Sequence, residues 1–305
     1  MNKILYSLHV MWYEVKMVNE TLDALQQAID NSPIGVDIIL CLNCQTYIED
    51  PLPGIDQNDL FSEFLDHPIL KDANIIRKTM DEEFYNIGDW RRDIYGEEYD
   101  YKYIVWGESD CLIPEDYFFL LNSIDIDSPH ILTLAQRQMW DDTWHIIEHR
   151  GIREIEQQNY HTYTEVLGTG DKRMNPPFYS GDYISLEQLN DFNRQYDPEL
   201  IKLPHLKVDG NKVALSRGLP YPFLPTDLHF AREDYCLQVF LNSKKIPQYH
   251  IHTRINGHNR NHPNKRMFTD DTRDRGRYKA YEREAFKSIN KFIKELQDEK
   301  NTYNR

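Results

Sequence analysis

The chain has 305 residues, 40% of them hydrophobic and 12% aromatic, which is enough to bury one extended α/β core and lies outside the range of disordered compositions. The net charge of −15 is uneven: residues 244–305 hold 16 Lys+Arg against 8 Asp+Glu, a local balance of +8 on a body at −23. No run approaches the roughly 18 apolar residues of a membrane span, and the amino terminus lacks the apolar centre of a signal peptide, so the expectation is a cytoplasmic protein with no membrane partner.

Lys3 to Leu8 reads as a first strand. Val15 to Ile29 follows as an amphipathic helix, with Val18, Leu22, Leu25 and Ile29 at three- and four-residue spacing. Asn31-Ser32-Pro33-Ile34-Gly35 ends it, and Val36 to Leu42 is nearly continuous in apolar character, like a parallel strand covered on both faces. Strand, helix, strand opens a right-handed βαβ unit, and such sheets bind ligands beyond the carboxyl ends of their strands. Ser7 and His9 lie at one such end, Asn43 and Gln45 at the next, which makes them candidates for nucleotide contacts. Cys41 and Cys44 form a single C-x-x-C inside the apolar run; a zinc site would need distant partners, and buried thiols are the plainer reading.

Leu60 to Leu65 is helix-like, Asn74 to Lys78 reads as a third strand, and Glu83 to Tyr95 contains Gly88-Asp89-Trp90-Arg91-Arg92-Asp93. Guanidinium forks suit phosphate oxygens, while a surface pair bonded to Asp89 and Asp93 is the competing reading. Neither G-x-x-x-x-G-K-[ST] nor G-x-G-x-x-G occurs, which argues against P-loop and dinucleotide sites.

Tyr101 to Pro114 is the stretch on which the rest turns. It opens as a buried strand and ends in Gly107-Glu108-Ser109-Asp110, with Pro114 closing any ladder. In extended geometry Glu108 and Asp110 share one side of the strand. Two such carboxylates repel unless a cation joins them, and hard oxygen ligands suit Mg²⁺ or Mn²⁺ with substrate phosphate completing the shell. A polar turn after a strand is the plain alternative.

Further along, Glu115 to Ile124 reads as a helix and Ile131 to Ala135 as a strand. Gln136 to Trp144 mixes polar and aromatic groups, a composition suited to a sugar or base. Residues 150–178 read as a long mobile loop, and Phe178 to Leu186 leads into a helix over Leu186 to Phe192. Leu237, Phe240 and Leu241 mark a helix with Glu233-Asp234 in its first turn, where carboxylates meet free N–H groups. Gln248 to Arg254 alternates like a strand, so His250 and His252 share a face; surface histidines are the competing reading. Residues 280–300 form a last helix, with Phe286, Ile289, Ile293 and Leu296 along one stripe.

The run strand–Gly–Glu–Ser–Asp–Cys–Leu–Ile–Pro resembles the D-x-D region of GT-A glycosyltransferases, especially the family-2-like group. The order of features strengthens the likeness over roughly residues 1–255: βαβ opening, Arg-bearing helix, acidic pair, Glu-Asp, late histidine. The resemblance implies a Rossmann-like mixed α/β sheet flanked by helices as a catalytic domain over 1–255, with a basic segment and terminal helix over 256–305. It implies a metal-dependent, inverting transfer from a nucleoside-diphosphate sugar, a UDP-sugar by family habit. Glu108 and Asp110 would hold Mn²⁺ or Mg²⁺, joined by His250 or His252. Arg91 or Arg92 would lie near the diphosphate, Asp182 near the sugar, and Arg254 over the diphosphate or an acidic acceptor. Asp234 would be the general base and Glu233 an acceptor contact. Arg232 stands where many relatives have Gly, which puts the openness of the backbone there in question.

Two acceptors fit the resemblance. One is hydroxymethylated cytosine in DNA, as in phage-type enzymes working in host cytoplasm, which the basic end with Tyr249, Phe268 and Tyr278 among its cations would suit. The other is a cell-surface glycan. A non-catalytic nucleotide-sugar or nucleic-acid-binding module is a competing class, and a metal-dependent nuclease or phosphatase a third.

Overall fold

The computed structural model describes residues 3–45, 61–79, 83–95, 100–138, 146–147, 185–203, 208, 212–230, 232–258 and 275–303. Its strands are β1 (Lys3–Met11), β2 (Gly35–Asn43), β3 (Asn74–Lys78), β4 (Tyr103–Glu108), β5 (Cys111–Leu112), β6 (Ile131–Gln138), β7 (Ile146–Ile147), β8 (Leu200–Lys202), β9 (Val213–Ser216) and β10 (Gln248–His258). Its helices are α1 (Val18–Asp30), α2 (Ser62–Leu65), α3 (Ile87–Asp93), α4 (Tyr117–Ser123), α5 (Leu186–Asn193), α6 (Glu233–Lys244) and α7 (Arg275–Tyr303). They make a mixed α/β sheet, ordered β3-β2-β1-β4-β9-β6-β10-β5, with β7 on β6 and β8 on β10. The expected boundary between 255 and 256 falls inside β10.

β3, β2, β1 and β4 run parallel, and their near-continuous apolar sequences match burial on both faces. Ile4, Tyr6, Leu8 and Val10 join one core with Leu22 and Leu25 of α1, Phe118 of α4 and Leu189 of α5. Leu5, Ile104 and Trp106 face the other way, onto Trp90 of α3, Leu237 of α6 and Ile289 of α7. Helices therefore cover both faces, and the polar positions late in β1, β2 and β4 collect at the carboxyl ends. Gly107 lets β1 and β4 close up: a Cβ there would come within 2.7 Å of the Ser7 carbonyl and the Tyr6 ring.

The structure differs from the sequence reading in several places. β9, absent from that reading, lies antiparallel between β4 and β6. Ser109 and Asp110 form a turn, so Glu108 and Asp110 do not lie along one extended strand; β4 ends at Glu108 and the chain crosses to pair β5 with β10. β10 carries a register shift against β6 between Ile251 and Ile255, just after His250. On α7 the buried positions are Ala285, Ile289, Phe292 and Leu296, while Phe286 is 38% exposed.

Candidate active site

α3 begins at a capping box: Asn86 bonds the first-turn amides, and its own N–H donates to Asp89 Oδ2 at 2.9 Å. Gly88 donates its N–H to the His229 carbonyl at 2.9 Å, a contact close enough that a Cβ would collide with the backbone of Leu228 and His229. The start of α3 is thus pinned to the segment leading into α6. Arg92 points into this joint, donating to Asp89 Oδ1 at 2.6 Å and to the Pro225 carbonyl at 2.9 Å.

Arg91, one helical step on, is 1% exposed and lies over the Trp106 ring, 4.6 Å from its centroid. It donates through Nη2 to Glu108 Oε1 at 2.9 Å and through Nη1 to Glu233 Oε1. One guanidinium therefore joins the end of β4 to the start of α6. Burial pushes the Glu233 carboxyl above its usual range against the pull of Arg91, and the neighbouring Asp234 and Glu108 charges push the same way.

α6 opens without a side-chain cap. Arg232 holds the N-cap in the left-handed region at φ 63°, ψ 17°, and the Asp234 carboxylate accepts the Tyr235 N–H at 2.7 Å. The backbone here does adopt a shape that favours glycine. The Arg232 side chain is held by Glu282 of α7 and stacks 5.4 Å from the Phe286 ring centroid. Asp234 remains partly exposed beside the buried Glu233.

His9 lies level with Glu108 across the β1–β4 pairing and is 5% exposed. Its Nε2 accepts from Asn43 Nδ2 at 3.1 Å, and that amide also donates to the Tyr85 carbonyl at 2.9 Å. Burial, reinforced by Arg91, brings the imidazole down to about 3, so it is neutral near pH 7. Around Arg91, then, stand the carboxylates of Glu108 and Glu233, with Asp234 beside Glu233.

The other expected residues are dispersed. Ser7 is buried and donates to the Val105 carbonyl at 2.7 Å, a bond inside the sheet. Arg254 braces two elements, bonding Asp116 Oδ2 at 2.8 Å and the Tyr196 carbonyl at 2.6 Å. His250 is fully buried, with Nδ1 3.0 Å from Thr133 Oγ1. The pairings Thr133–Val213 and Val213–Trp106 place it three strands from β4, about 14 Å at ordinary strand spacing, which does not bring it to Glu108. The side chain of His252 and all of Asp182 lie outside the described residues, as do 148–184 and 259–274.

Among the described residues no group of three or more His, Cys, Asp or Glu side chains forms a closed metal cage. Glu108 ends β4 with one carboxylate oxygen bonded to Arg91, and Asp110 lies buried in the turn that follows. The residue that sequence reading passed over is Lys212, a buried lysine just ahead of β9. Its only signal was its place before the four apolar-leaning residues Val213 to Ser216.

Solved structures offer a distant comparison. S. aureus TarS 1–349 aligns over 84% of this chain and 59% of its own, at 11% identity and a TM-score of 0.46. The glycosyltransferase GlyE of Streptococcus pneumoniae TIGR4 aligns over 60% of this chain and 42% of its own, at 10% identity and a TM-score of 0.28; its apo form gives 12% identity and 0.28. The chain thus spans less than two thirds of each. No family model matches it, and no curated protein does.

Proposed function

We propose that the chain is a metal-dependent, inverting glycosyltransferase that uses a nucleoside-diphosphate sugar, with a UDP-sugar as the first donor to try. The observation that supports this most is the Arg91 bridge. By tying Glu108 to Glu233 it sets the acidic turn and the partly exposed Asp234 around one cluster at the carboxyl end of the parallel strands, where α/β sheets bind ligands.

In this reading Glu108 and Asp110 are the residues that would hold Mn²⁺ or Mg²⁺. The cation supplies charge neutralisation of the departing nucleoside diphosphate. Asp234 accepts the proton of the acceptor hydroxyl as its oxygen attacks the anomeric carbon, a role typically worth about 10²–10⁴-fold. Glu233 is engaged by Arg91, so it orients the first turn of α6 and with it Asp234. His9 and Asn43 fix the neighbouring wall in neutral form. Tyr235, 41% exposed, follows Asp234 in the first turn of α6 and meets Phe286 of α7 edge to face, which leaves an aromatic group beside the proposed base for an acceptor ring. For the acceptor we carry forward a hydroxymethylated base in DNA, on the +8 balance of residues 244–305.

The test is a panel of nucleoside-diphosphate sugars with and without Mn²⁺, read as a shift in melting temperature. A shift with one donor, enlarged by the metal, is expected. No shift with any donor contradicts the reading. Retention of hydroxymethylcytosine DNA in a low-salt gel shift, weakening as salt rises, is expected for the DNA version, and no binding at low salt removes it.

A further inference from the structure

Val213 pairs with Trp106, so Lys212 falls level with Gly107, immediately before Glu108 and the acidic turn. The side chain is 3% exposed. Its Nζ donates to the Tyr6 hydroxyl at 2.7 Å and lies 5.1 Å from the ring centroid. An ammonium has three donors, and among the described residues it forms no ion pair with a carboxylate. Tyr6 is completely buried, and burial pushes its phenol above the ordinary range, so this partner is neutral near pH 7. Nearby, Cys111 begins β5 just beyond the turn and accepts from Asn256 Nδ2 at 2.9 Å; burial holds its thiol up at about 12, so it too is neutral. Burial disfavours the charge on Lys212, but Tyr6, Cys111 and Glu108 favour it and hold the ammonium above its ordinary range; Glu108 is the carboxylate among them. Arg91 and Lys212 thus lie on opposite faces of the sheet near the end of β4, Arg91 over Trp106 in one core and Lys212 against Tyr6 in the other. A buried ammonium hydrogen-bonded to a neutral hydroxyl carries a desolvation penalty, and the carboxylate that favours its charge is Glu108, at the edge of the acidic turn.

We infer that Lys212 is a fixed counter-charge beneath the Glu108–Asp110 turn, offsetting its carboxylates so that the turn receives a diphosphate while its divalent cation stays exchangeable. The inference rests on the nucleotide-sugar reading, but its electrostatic signature can be measured apart from turnover. Unit charges that act on one another through a partly buried site interact strongly enough for roughly tenfold changes in binding.

The experiment compares wild type, Lys212→Met and Lys212→Arg by calorimetric titration with Mn²⁺ alone, and with UDP, GDP and dTDP in the absence of metal. Lys212→Met is expected to bind Mn²⁺ roughly tenfold more tightly and the diphosphate roughly tenfold more weakly, with an unchanged or raised melting temperature. Lys212→Arg should keep the wild-type values. Lys212→Gln serves as the neutral variant if methionine does not fold. A merely structural lysine would move both affinities down together, and that result, or equal affinities in wild type and both neutral variants, overturns the assignment while leaving the donor reading intact. Wild-type protein that binds neither Mn²⁺ nor any diphosphate overturns both.

Discussion

Arg91 and Glu233 stand 142 residues apart in the chain and share a buried hydrogen bond at the junction of α3 and α6. The same guanidinium bonds Glu108, so the Arg91→Met variant leaves a buried carboxylate without its cation, a loss of about 3–5 kcal/mol. Chemical denaturation at pH 7 measures it. The deficit should shrink as pH falls through the carboxylate range, because protonated Glu233 no longer needs the cation. A loss below about 1 kcal/mol, independent of pH, would show that the bridge is not structural.

His9 gives the fold a pH dependence of known sign. Its folded pKa of about 3 lies below the ordinary 6.5, so the neutral form is the one the fold accepts. Its contribution to stability is complete above pH 6.5 and is lost as pH falls toward 3, at up to about 1.4 kcal/mol per pH unit from this one proton. His9→Gln should flatten the stability profile in that window. Glu233 works with the opposite sign: its raised pKa favours the fold at low pH, and that contribution is lost as pH rises through the elevated value. Identical slopes in wild type and His9→Gln would rule out a buried neutral imidazole.

At Gly107 the close approach of β1 and β4 leaves no room for a side chain. Gly107→Ala should destabilise by about 1–3 kcal/mol through overpacking and shift the adjacent Glu108. Its donor affinity should fall more than its stability explains, checked by titration at a temperature where both proteins are fully folded.

The two phenylalanines of α7 should behave differently. Phe292 is buried and stacks on Phe240 of α6 with ring centroids 6.2 Å apart, so Phe292→Ala should lose about 3–5 kcal/mol. Phe286 is largely a surface residue beneath Arg232, and Phe286→Ala should lose about 1 kcal/mol or less. Thermal melts of the pair decide which face of α7 meets the body.

Much of the sheet could be read in advance because β1, β2 and β4 are long apolar runs whose burial on both faces needs no alternation. β9 could not, since four residues carry no period and its strand character comes from lying between β4 and β6. The spacing of Glu108 and Asp110 suggested one face only while the ladder was assumed to continue; the chain instead turns at Ser109, where Thr21 of α1 bonds its carbonyl at 2.7 Å. Adjacent arginines look alike in sequence, and the rotation of α3 sends Arg91 to the glutamates and Arg92 to Asp89. On α7, Ala285 escaped a count of large apolar residues, which swung the expected stripe toward Phe286. The pairing of β4's end with α6 through Arg91 is a long-range contact that no local pattern encodes.

Asp234 provides the most direct test of a shared donor and acceptor cleft. Consumption of the donor that stabilises the protein should be followed with Mn²⁺ in wild type and in Asp234→Asn, alongside donor affinity in both. The account predicts a rate lowered by about 10²–10⁴-fold with donor affinity nearly unchanged. Equal rates in the two proteins, at matched donor occupancy, would contradict it.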